Sequence, residues 1–299
     1  MDKLSFTNQK GQIVHYLKWS IEHPKACVVI SHGMAEHPAR YDELALFLNQ
    51  NGILVYAIYQ IGHGEFANPL GHMEKGDFDQ CVTNLSELVE LTKTENHTKV
   101  ILLGHSMGSF IAQLYVTRYH NIDALILAGS TKASFKMKAG STLASLITFF
   151  SKDIRKPSPF MDKMAFGNYN RIYENPKTNS DWLNRDEKEV QKYIDDPYCG
   201  WIGTKGFFYN LTHGIKEMGK KKNIQNVDKD LPIFIHGGSQ DPVSNCKIGL
   251  EKLYQQYKDL HVKDVSLIIY EGGRHEIYNE TNKQEVFVNT LNFINSHID

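Results

Sequence analysis

The chain has few cysteines and no large excess of charge of either sign. Its cysteines, Cys27, Cys81, Cys199 and Cys246, are scattered and form no C-x-x-C pair. Dispersed cysteines in a chain of 299 residues are typical of reduced thiols in the cytoplasm and not of a disulfide framework. The 33 basic and 34 acidic side chains give a formal net charge of -1. We therefore expect no nucleic-acid partner, because nucleic-acid binding relies on a strongly basic face.

Long apolar runs and targeting signals are also missing. The sequence contains no run of about eighteen apolar residues, the length that a membrane-spanning helix needs. The first residues, Met1 to Phe6, do not form a basic segment followed by an apolar one, as a signal peptide would. We therefore expect a cytoplasmic protein without a membrane span.

No motif for a metal ion or a cofactor is present. His32, His37 and His63 lie in predicted loops and resemble a set of metal ligands. However, the sequence has neither an H-E-x-x-H motif nor a paired Cys/His spacing. We therefore expect neither a metal ion nor a cofactor.

Runs of branched apolar residues alternate with amphipathic segments along most of the chain. The predicted strands are Leu4 to Thr7 and Ile13 to Trp19, paired as a hairpin, then Ala26 to Ser31, Ile53 to Tyr59, Val100 to Leu103, Ala124 to Ala128, Leu231 to His236 and Val265 to Tyr270. The predicted helices are Arg40 to Gln50, Asp77 to Asn96, Phe110 to His120, Cys246 to Leu260 and Gln284 to Ser296. Strands that alternate with helices through short links indicate an α/β fold with a mostly parallel, doubly wound sheet.

This alternation stops at Gly129. Residues 130–229 contain several helical patches and four prolines but no convincing buried strand. Within them, Trp182 to Asp195 is predicted as one charged helix with Asp181 as its N-cap. We therefore divide the chain into a core of residues 1–129 and 230–299 and a helical cap, or lid, of residues 130–229.

A serine lies where a predicted strand meets a predicted helix, in the sequence Gly104-His-Ser-Met-Gly108. A G-x-S-x-G motif in that context predicts a strained turn that projects the serine hydroxyl above the sheet edge. Ser106 is therefore the candidate nucleophile. The amide of Met107, at the N-terminus of the helix, is a candidate donor to a developing oxyanion. A chance match in a loop that contains glycine and serine is the alternative.

Two later residues follow strands in the order that such a turn requires. A serine hydroxyl needs a base to take its proton, and the base is usually an imidazole held in one tautomer by a carboxylate. Asp241 follows the strand that ends at His236, and His275 follows the strand that ends at Tyr270. Because such sites lie at the carboxyl ends of parallel strands, these residues are the candidate acid and base. The alternatives are a turn-forming Asp-Pro pair and a solvated loop histidine.

The loop after the strand Ala26 to Ser31 supplies a second candidate oxyanion donor. Gly33 lets the backbone approach closely there. The amide of Met34 is then placed to pair with the amide of Met107.

Three motifs in the chain resemble those of a known family. They are His32-Gly-Met-Ala-Glu-His37 with Arg40-Tyr41 behind it, Gly104-His-Ser-Met-Gly108, and His275-Glu276 after a glycine pair. Together they resemble the monoacylglycerol lipase and lysophospholipase group of the α/β-hydrolases, over residues 1 to about 130 and 230 to 299. The resemblance implies an α/β-hydrolase fold with Ser106 as nucleophile, Asp241 as acid, His275 as base, and the amides of Met34 and Met107 as the oxyanion hole.

Three positions depart from the usual pattern of that group. The group carries an aspartate shortly before the Gly62-His-Gly64 loop and a serine two residues after it, where this chain has Tyr59 and Phe66. Ser109 stands where a second glycine commonly ends the elbow. The first two departures bear on the floor of the substrate pocket, and none of the three touches the proton-transfer residues.

Substrate selection is expected to lie mainly in the cap. The candidate substrate contacts are Gly33, Phe149, Phe150, Trp201 and Phe207. Apolar walls with few polar groups suit an acyl chain or an aryl group, so a small hydrophobic ester is the expected substrate. For each aromatic residue, packing of the cap on the core is the alternative.

Lysines near the apolar part of the cap suggest transient contact with a lipid surface, and they are Lys132, Lys136 and Lys138. A solvated face explains the same lysines more simply. The sequence carries no indication of the oligomeric state.

Three functions are compatible with these residues. The first is a serine carboxylester hydrolase that acts through an acyl-enzyme on monoacylglycerol, lysophospholipid or a similar hydrophobic ester. The second is an aminopeptidase of the same fold, which needs an acidic pocket for a free amine, with Glu36 or Glu276 as candidates. The third is a non-catalytic binding protein, which usually lacks one member of the triad.

Overall fold

The computed structural model describes residues 1–298, with the side chains of residues 135–139 excepted. The strands are β1 (Asp2–Thr7), β2 (Ile13–Trp19), β3 (Ala26–Ser31), β4 (Ile53–Ile58), β5 (Lys99–His105), β6 (Ala124–Ala128), β7 (Ile233–Gly238) and β8 (Val265–Tyr270). They form one sheet in the spatial order β1-β2-β4-β3-β5-β6-β7-β8. The pairs β1–β2 and β2–β4 are antiparallel and all other neighbours are parallel. The predicted N-terminal hairpin and mostly parallel sheet are confirmed.

Helices cover both faces of this sheet. They are α1 (Asp42–Gln50), α2 (Asp77–Asn96), α3 (Met107–Tyr115), α4 (Phe135–Phe149), α5 (Pro159–Phe166), α6 (Glu187–Asp195), α7 (Lys205–Met218), α8 (Lys221–Ile224), α9 (Lys247–Asp259) and α10 (Lys283–Asn295). No helix among the described residues combines the length and the apolar character that crossing a membrane demands.

Side chains of the central strands point alternately into two cores. In β3, Cys27 and Val29 pack with residues of α2 and α3 on one face, while Val28 and Ile30 pack with residues of α1 and α10 on the other. Because both faces are covered by helices, the strand reads as a continuous apolar run. This is the physical reason why the strand could be predicted from its sequence.

The carboxyl ends of the parallel strands lie along one edge of the sheet. β3 is paired with β5 and β5 with β6, so Ser31 lies opposite Gly104 and His105 opposite Ala128. β7 and β8 continue the same direction on the far side of β6. The loops that follow these strands therefore meet above one edge.

Residues between β6 and β7 add helices α4 to α8 and, in their described part, no strand of the sheet. α4 packs along α7, and α7 also contacts α3 of the central layer. An isolated antiparallel bridge joins Pro157 to Thr204. The segment therefore lies on the core through α7. Its treatment as a separate cap with bounds 130–229 stays a prediction.

The predicted helix Trp182 to Asp195 is wrong in its first turn. Asp181–Leu183 forms a short 3-10 segment, and α6 begins only at Glu187. The N-cap is Asp186, whose side chain accepts from the amide of Lys188 at 2.9 Å. The carboxylate of Asp181 instead accepts from two backbone amides of the preceding loop. Asp181 therefore does not cap a helix, because its carboxylate is already bonded to these local amides.

A buried histidine in β7 makes the stability of the fold depend on pH. Burial lowers the pKa of His236 to about 3, and its ring nitrogens lie 2.8 Å from the hydroxyl of Tyr278 and 3.3 Å from that of Tyr270. In the unfolded chain the pKa returns to about 6.5. Between these two values only the unfolded chain takes up the proton, so the free energy of unfolding falls as the pH falls.

Replacing His236 by glutamine is expected to remove this contribution. The slope of the unfolding free energy between about pH 6 and about pH 4 should become shallower by about 1.4 kcal/mol per pH unit, the value for one proton. Urea unfolding across this range measures the slope. The exposed His120→Gln variant is the control and should keep the wild-type slope. An equal slope in His236→Gln and wild type would contradict the assignment.

Candidate active site

Ser106 lies in a strained turn between β5 and α3. Its φ of 52° and ψ of −122° are unusual for a residue with a side chain. The turn closes because two glycines flank it. A Cβ on Gly104 would lie 2.6 Å from the carbonyl oxygen of Gly108, and a Cβ on Gly108 would lie 1.9 Å from that of Ser31. The two glycines of the G-x-S-x-G motif are thus required because a side chain at either position would clash with the backbone of the neighbouring strand or helix.

His275 bridges Ser106 and Asp241. Its Nε2 lies 2.8 Å from Ser106 Oγ, and its Nδ1 lies 3.0 Å from Asp241 Oδ2. Asp241 is fully buried and His275 nearly so, while Ser106 keeps some exposure. The three side chains come from the loops after β5, β7 and β8. We call them the candidate triad.

Asp241 also makes the turn that its sequence context suggests. Its Oδ1 accepts from the amide of Val243 at 2.8 Å, while its Oδ2 faces the imidazole of His275. One carboxylate thus serves both a turn and the histidine. The first bond fixes the direction in which the second oxygen points.

Two backbone segments lie beside Ser106. Met107 is the first residue of α3, where an amide has no acceptor within the helix. Gly33 approaches Ser106 so closely that a Cβ on it would lie 3.0 Å from the Cβ of Ser106. Gly33, Met34 and Met107 all line the cavity above the serine. Their role as an oxyanion hole stays a prediction.

A buried glutamate holds the loop that contains Gly33. Glu36 accepts from the Gly33 amide at 2.5 Å, from the Tyr41 hydroxyl at 2.9 Å and from His105 Nδ1 at 3.1 Å. Burial by itself would raise the pKa of Glu36, but the hydrogen bond from His105 and the charge of Arg40 hold it well below its usual value. A charged carboxylate is therefore maintained beneath the loop.

The same network reaches the loop of the candidate base. His105 Nε2 lies 3.2 Å from the carbonyl oxygen of His275. Arg40 pairs with both oxygens of Glu276 and, at 3.3 Å, with Glu36. These buried bonds connect the loop after β3 with the loop after β8. They therefore fix the positions of the two sides of the site relative to each other.

A cavity of about 790 Å³ opens above Ser106. Side chains of α3, α4, α5 and α7 and of the loops around the candidate triad form its walls. Apolar wall residues include Phe110, Leu143, Ile147, Met161, Met164, Phe166, Phe208 and Ile215. The volume falls within the range of small-molecule sites, about 300–1,000 Å³.

The predicted substrate contacts divide into two groups. Gly33 and Trp201 line the cavity. Phe149 and Phe150 do not: they lie at the end of α4 with 75 % and 78 % of their surface exposed. Phe207 is fully buried against Trp201 and His63, so it packs behind the wall. The sequence identified aromatic residues of the cap but not which of them turn inward.

The departures from the family pattern lie away from this cavity. Tyr59 and Phe66 stack edge to face with ring centroids 5.0 Å apart and line a separate, smaller cavity. They do not form the floor that the sequence suggested. Ser109 is buried, and its hydroxyl bonds to the carbonyl oxygen of Ser106 at 2.6 Å and to Ser130 at 2.7 Å.

Two histidines that resembled metal ligands are packed in the interior. Burial lowers the pKa of His32 to about 4 and that of His63 to about 3, so both are neutral near pH 7. His32 uses its two ring nitrogens on the backbone of Gly33 and Gln60, at 2.8 Å and 3.2 Å. Neither ring lines the large cavity.

One residue of the site was missed by sequence reasoning. The ring of Trp182 lies 5.1 Å from the imidazole of His275, and its carbonyl accepts from the His275 amide at 3.4 Å. Phe166 stacks on Trp182, with the two ring centroids 6.1 Å apart. Because Trp182 was assigned to a charged helix, no signal in the sequence placed it over the candidate base.

Sequence comparisons relate this chain to known proteins. Residues 22–282 match the family model described as serine aminopeptidase, S33. A monoglyceride lipase from Rattus norvegicus is 30% identical over 97% of this chain and 88% of that protein. A monoacylglycerol lipase from Mycolicibacterium smegmatis is 26% identical over 98% of this chain and 97% of that protein.

Solved structures confirm the fold. A highly thermostable carboxyl esterase from Bacillus coagulans, in complex with glycerol, superimposes with a TM-score of 0.92 over 100% of this chain and 99% of that one, at 24% identity. The predicted α/β-hydrolase fold and the resemblance to monoacylglycerol lipases are therefore confirmed. The chain is a hydrolase that belongs to the serine aminopeptidase, S33, family.

Proposed function

We propose that the protein is a serine carboxylester hydrolase whose substrates are monoacyl esters such as monoacylglycerol or lysophospholipid. The observation that carries this proposal is that Ser106 and His275 of the candidate triad line a large apolar cavity. A reacting carbonyl above Ser106 would leave its acyl chain among apolar walls. The similarity to enzymes named as monoacylglycerol lipases supports the same substrate class.

The reaction begins with attack by Ser106 Oγ on the ester carbonyl. His275 Nε2 takes the hydroxyl proton, and the negative oxygen of the tetrahedral intermediate accepts hydrogen bonds from the amides of Met34 and Met107. The carbon–oxygen bond to the alcohol then breaks, and the alcohol leaves with the proton from His275. Asp241 holds the imidazole in the tautomer with its proton on Nδ1.

Water completes the cycle. His275 takes a proton from a water molecule as the water oxygen attacks the acyl-enzyme. The bond from the acyl carbon to Ser106 Oγ breaks, and the proton returns to the serine. The fatty acid is released.

Residues 130–229 act, in this proposal, as a cap that selects the acyl chain. The support is that α4, α5 and α7 supply much of the cavity wall. The outer side of the same helices exposes apolar side chains, among them Leu146, Phe149, Phe150 and Phe160. Transient contact of this surface with lipid would bring the cavity to its substrate. Lys132 is exposed nearby in sequence, and Lys136 and Lys138 lie outside the described side chains.

A cytoplasmic location is part of the proposal. Its support is that the cysteines of the chain are unpaired thiols, three of them buried. Reduced cysteines of this kind are typical of a reducing compartment.

The test is hydrolysis of nitrophenyl esters of increasing chain length, compared with monoacylglycerol and aminoacyl amides. Each buried methylene contributes about 0.8 kcal/mol, so an acyl chain longer by four carbons is expected to raise kcat/KM on the order of 100-fold until the cavity is filled. Cleavage of aminoacyl amides without cleavage of esters would contradict the proposal.

The aminopeptidase remains the second candidate because of one carboxylate. The carboxylates of Glu36 and Glu276 already pair with Arg40, and Glu36 also accepts from the Gly33 amide. Neither is therefore available to a free amine. Asp162 lines the cavity, and among the described residues its carboxylate has no hydrogen bond or ion pair. A free amine could bind there. In that case Asp162→Asn would lower kcat/KM for aminoacyl amides, whereas a lipase would show no such activity to lose.

A further inference from the structure

Three potential metal ligands meet where residues 130–229 contact the core. His37 follows the loop that contains Gly33, and Asp196 and Cys199 lie between α6 and α7. His37 Nε2 is 2.8 Å from Asp196 Oδ2, and one ligand atom from each of the three residues lies within 4.8 Å of the others. We call this group the His37 cluster.

An ion pair between His37 and Asp196 does not explain the third member of the cluster. The Cys199 side chain is buried, with 8 % of its surface exposed. Among the described residues its sulfur has no hydrogen-bond partner. A buried thiol within 4.8 Å of an imidazole nitrogen and a carboxylate oxygen provides the soft ligand that an ion pair lacks.

The charge around the cluster favours a cation. Glu36, Glu276 and Asp196 contribute three carboxylates, and Arg40, which pairs with the two glutamates, contributes one guanidinium. The balance of these four side chains is negative. Arg40 is bonded to the two glutamates and His105 to Glu36, so Asp196 is the carboxylate of this set whose charge the ion itself would neutralise.

We propose that the His37 cluster binds Zn²⁺ or a cation of the same class. Imidazole, carboxylate and thiolate are the side-chain ligands that zinc takes, at about 2.0–2.3 Å each, with water in the fourth position. Such bond lengths place ligand atoms about 3–4 Å apart, so the three side chains need to move by no more than about an ångström. The hard ions Mg²⁺ and Ca²⁺ are disfavoured by the sulfur and nitrogen ligands.

Binding of the ion replaces the hydrogen bond between His37 and Asp196 by three metal–ligand bonds. The thiol proton of Cys199 passes to solvent and the thiolate sulfur bonds to the metal. The hydrogen bond between His37 and Asp196 breaks, and the proton on His37 Nε2 is exchanged through solvent onto Nδ1. The freed lone pair of Nε2 and the carboxylate oxygen Oδ2 of Asp196 then each bond to the metal. No electron is transferred, and the ion is supplied by the solution.

The position of the cluster predicts an effect on turnover. The amide of Gly200, next to Cys199, donates to the carbonyl of Ala35 at 3.1 Å, and Gly200 and Trp201 line the cavity. A metal would add a second, stronger connection between this segment and the loop that carries Met34. Because the metal bonds would shift His37 by up to about an ångström, they would also move the neighbouring Met34 amide, so a bound ion is expected to slow hydrolysis.

The experiment uses the full chain, freed of metal by a chelator and titrated with Cd²⁺ and Zn²⁺. Cd²⁺ should produce a thiolate-to-metal absorption band that saturates at one ion per chain. Competition with a chromophoric chelator should give a Kd for Zn²⁺ on the order of 1 µM or tighter. Cys199→Ser should abolish the band, and His37→Gln and Asp196→Asn should each weaken Zn²⁺ binding at least tenfold.

Cys246→Ser is the matched control, because Cys246 is a half-buried thiol outside the cluster. It should keep both the band and the affinity. The absence of a band in the wild type, its loss in Cys246→Ser, or unchanged Zn²⁺ affinity in His37→Gln and Asp196→Asn would each overturn the site. Because the band is measured on wild type and on the control, the test holds even if Cys199→Ser does not fold.

Discussion

Replacing Ser106 by alanine is expected to lower kcat for ester hydrolysis by a factor on the order of 10⁵ to 10⁶. The variant retains the cavity and the two amides, so substrate still binds, but no oxygen lies 2.8 Å from His275 Nε2 to attack the carbonyl. The measurement is the steady-state rate with a nitrophenyl ester. KM should change much less than kcat, because the apolar wall is intact.

Covalent labelling separates this outcome from a binding protein. Wild type should react with a fluorophosphonate at Ser106, and Ser106→Ala should not. Ser145→Ala is the control, since Ser145 bonds to a carbonyl of its own helix and lies outside the cavity wall. It should be labelled as wild type. An unlabelled wild type would favour the non-catalytic binding protein, and equal labelling of Ser106→Ala would place the nucleophile elsewhere.

Replacing Asp241 by asparagine should cost on the order of 10⁴ in kcat. The amide of Val243 requires an acceptor, so the side-chain oxygen of asparagine takes the place of Oδ1. The NH₂ group then faces His275 Nδ1 and donates to it. This bond selects the tautomer with its proton on Nε2, which has no lone pair there to accept the proton of Ser106.

An Asp–His pair at the surface provides the control for this variant. Asp264 lies 3.0 Å from His297 Nε2 at the surface, away from the cavity. Asp264→Asn removes the same type of contact and should leave kcat unchanged. Both variants should unfold near the wild-type temperature if Asp241 acts on the reaction. A comparable loss of activity in Asp264→Asn, or near-wild-type activity in Asp241→Asn, would contradict the assigned role.

The fold and the candidate triad were accessible from sequence because their signals are local. A strand covered on both faces is apolar throughout, as in β3, and a turn as tight as that at Ser106 admits only glycine at Gly104 and Gly108. Once the strands were identified, their parallel direction placed Asp241 and His275 at the same edge. Each step depended on a few adjacent residues and one general rule of α/β sheets.

The walls of the site were not accessible in this way. Residues 130–229 contain helical patches, but the period of a patch does not state whether its apolar side packs on the core, lines the cavity or faces outward. Phe149 and Phe150 therefore looked like substrate contacts although they face outward, and Trp182 looked like a helix residue although it covers His275. Loops and short helices take their direction from the partners against which they pack, and those partners are distant in the chain.

Local chemistry in the chain thus specified the sheet, the elbow and the order of Ser106, Asp241 and His275. The contacts that surround these residues were decided by long-range packing. Glu36 accepts from the Gly33 amide, and Arg40 pairs with Glu276. His37 bonds to Asp196, which is 159 positions away in the chain. The reason is that a backbone turn is encoded by the residues that form it. A side-chain contact is encoded only by the energy of the whole folded chain.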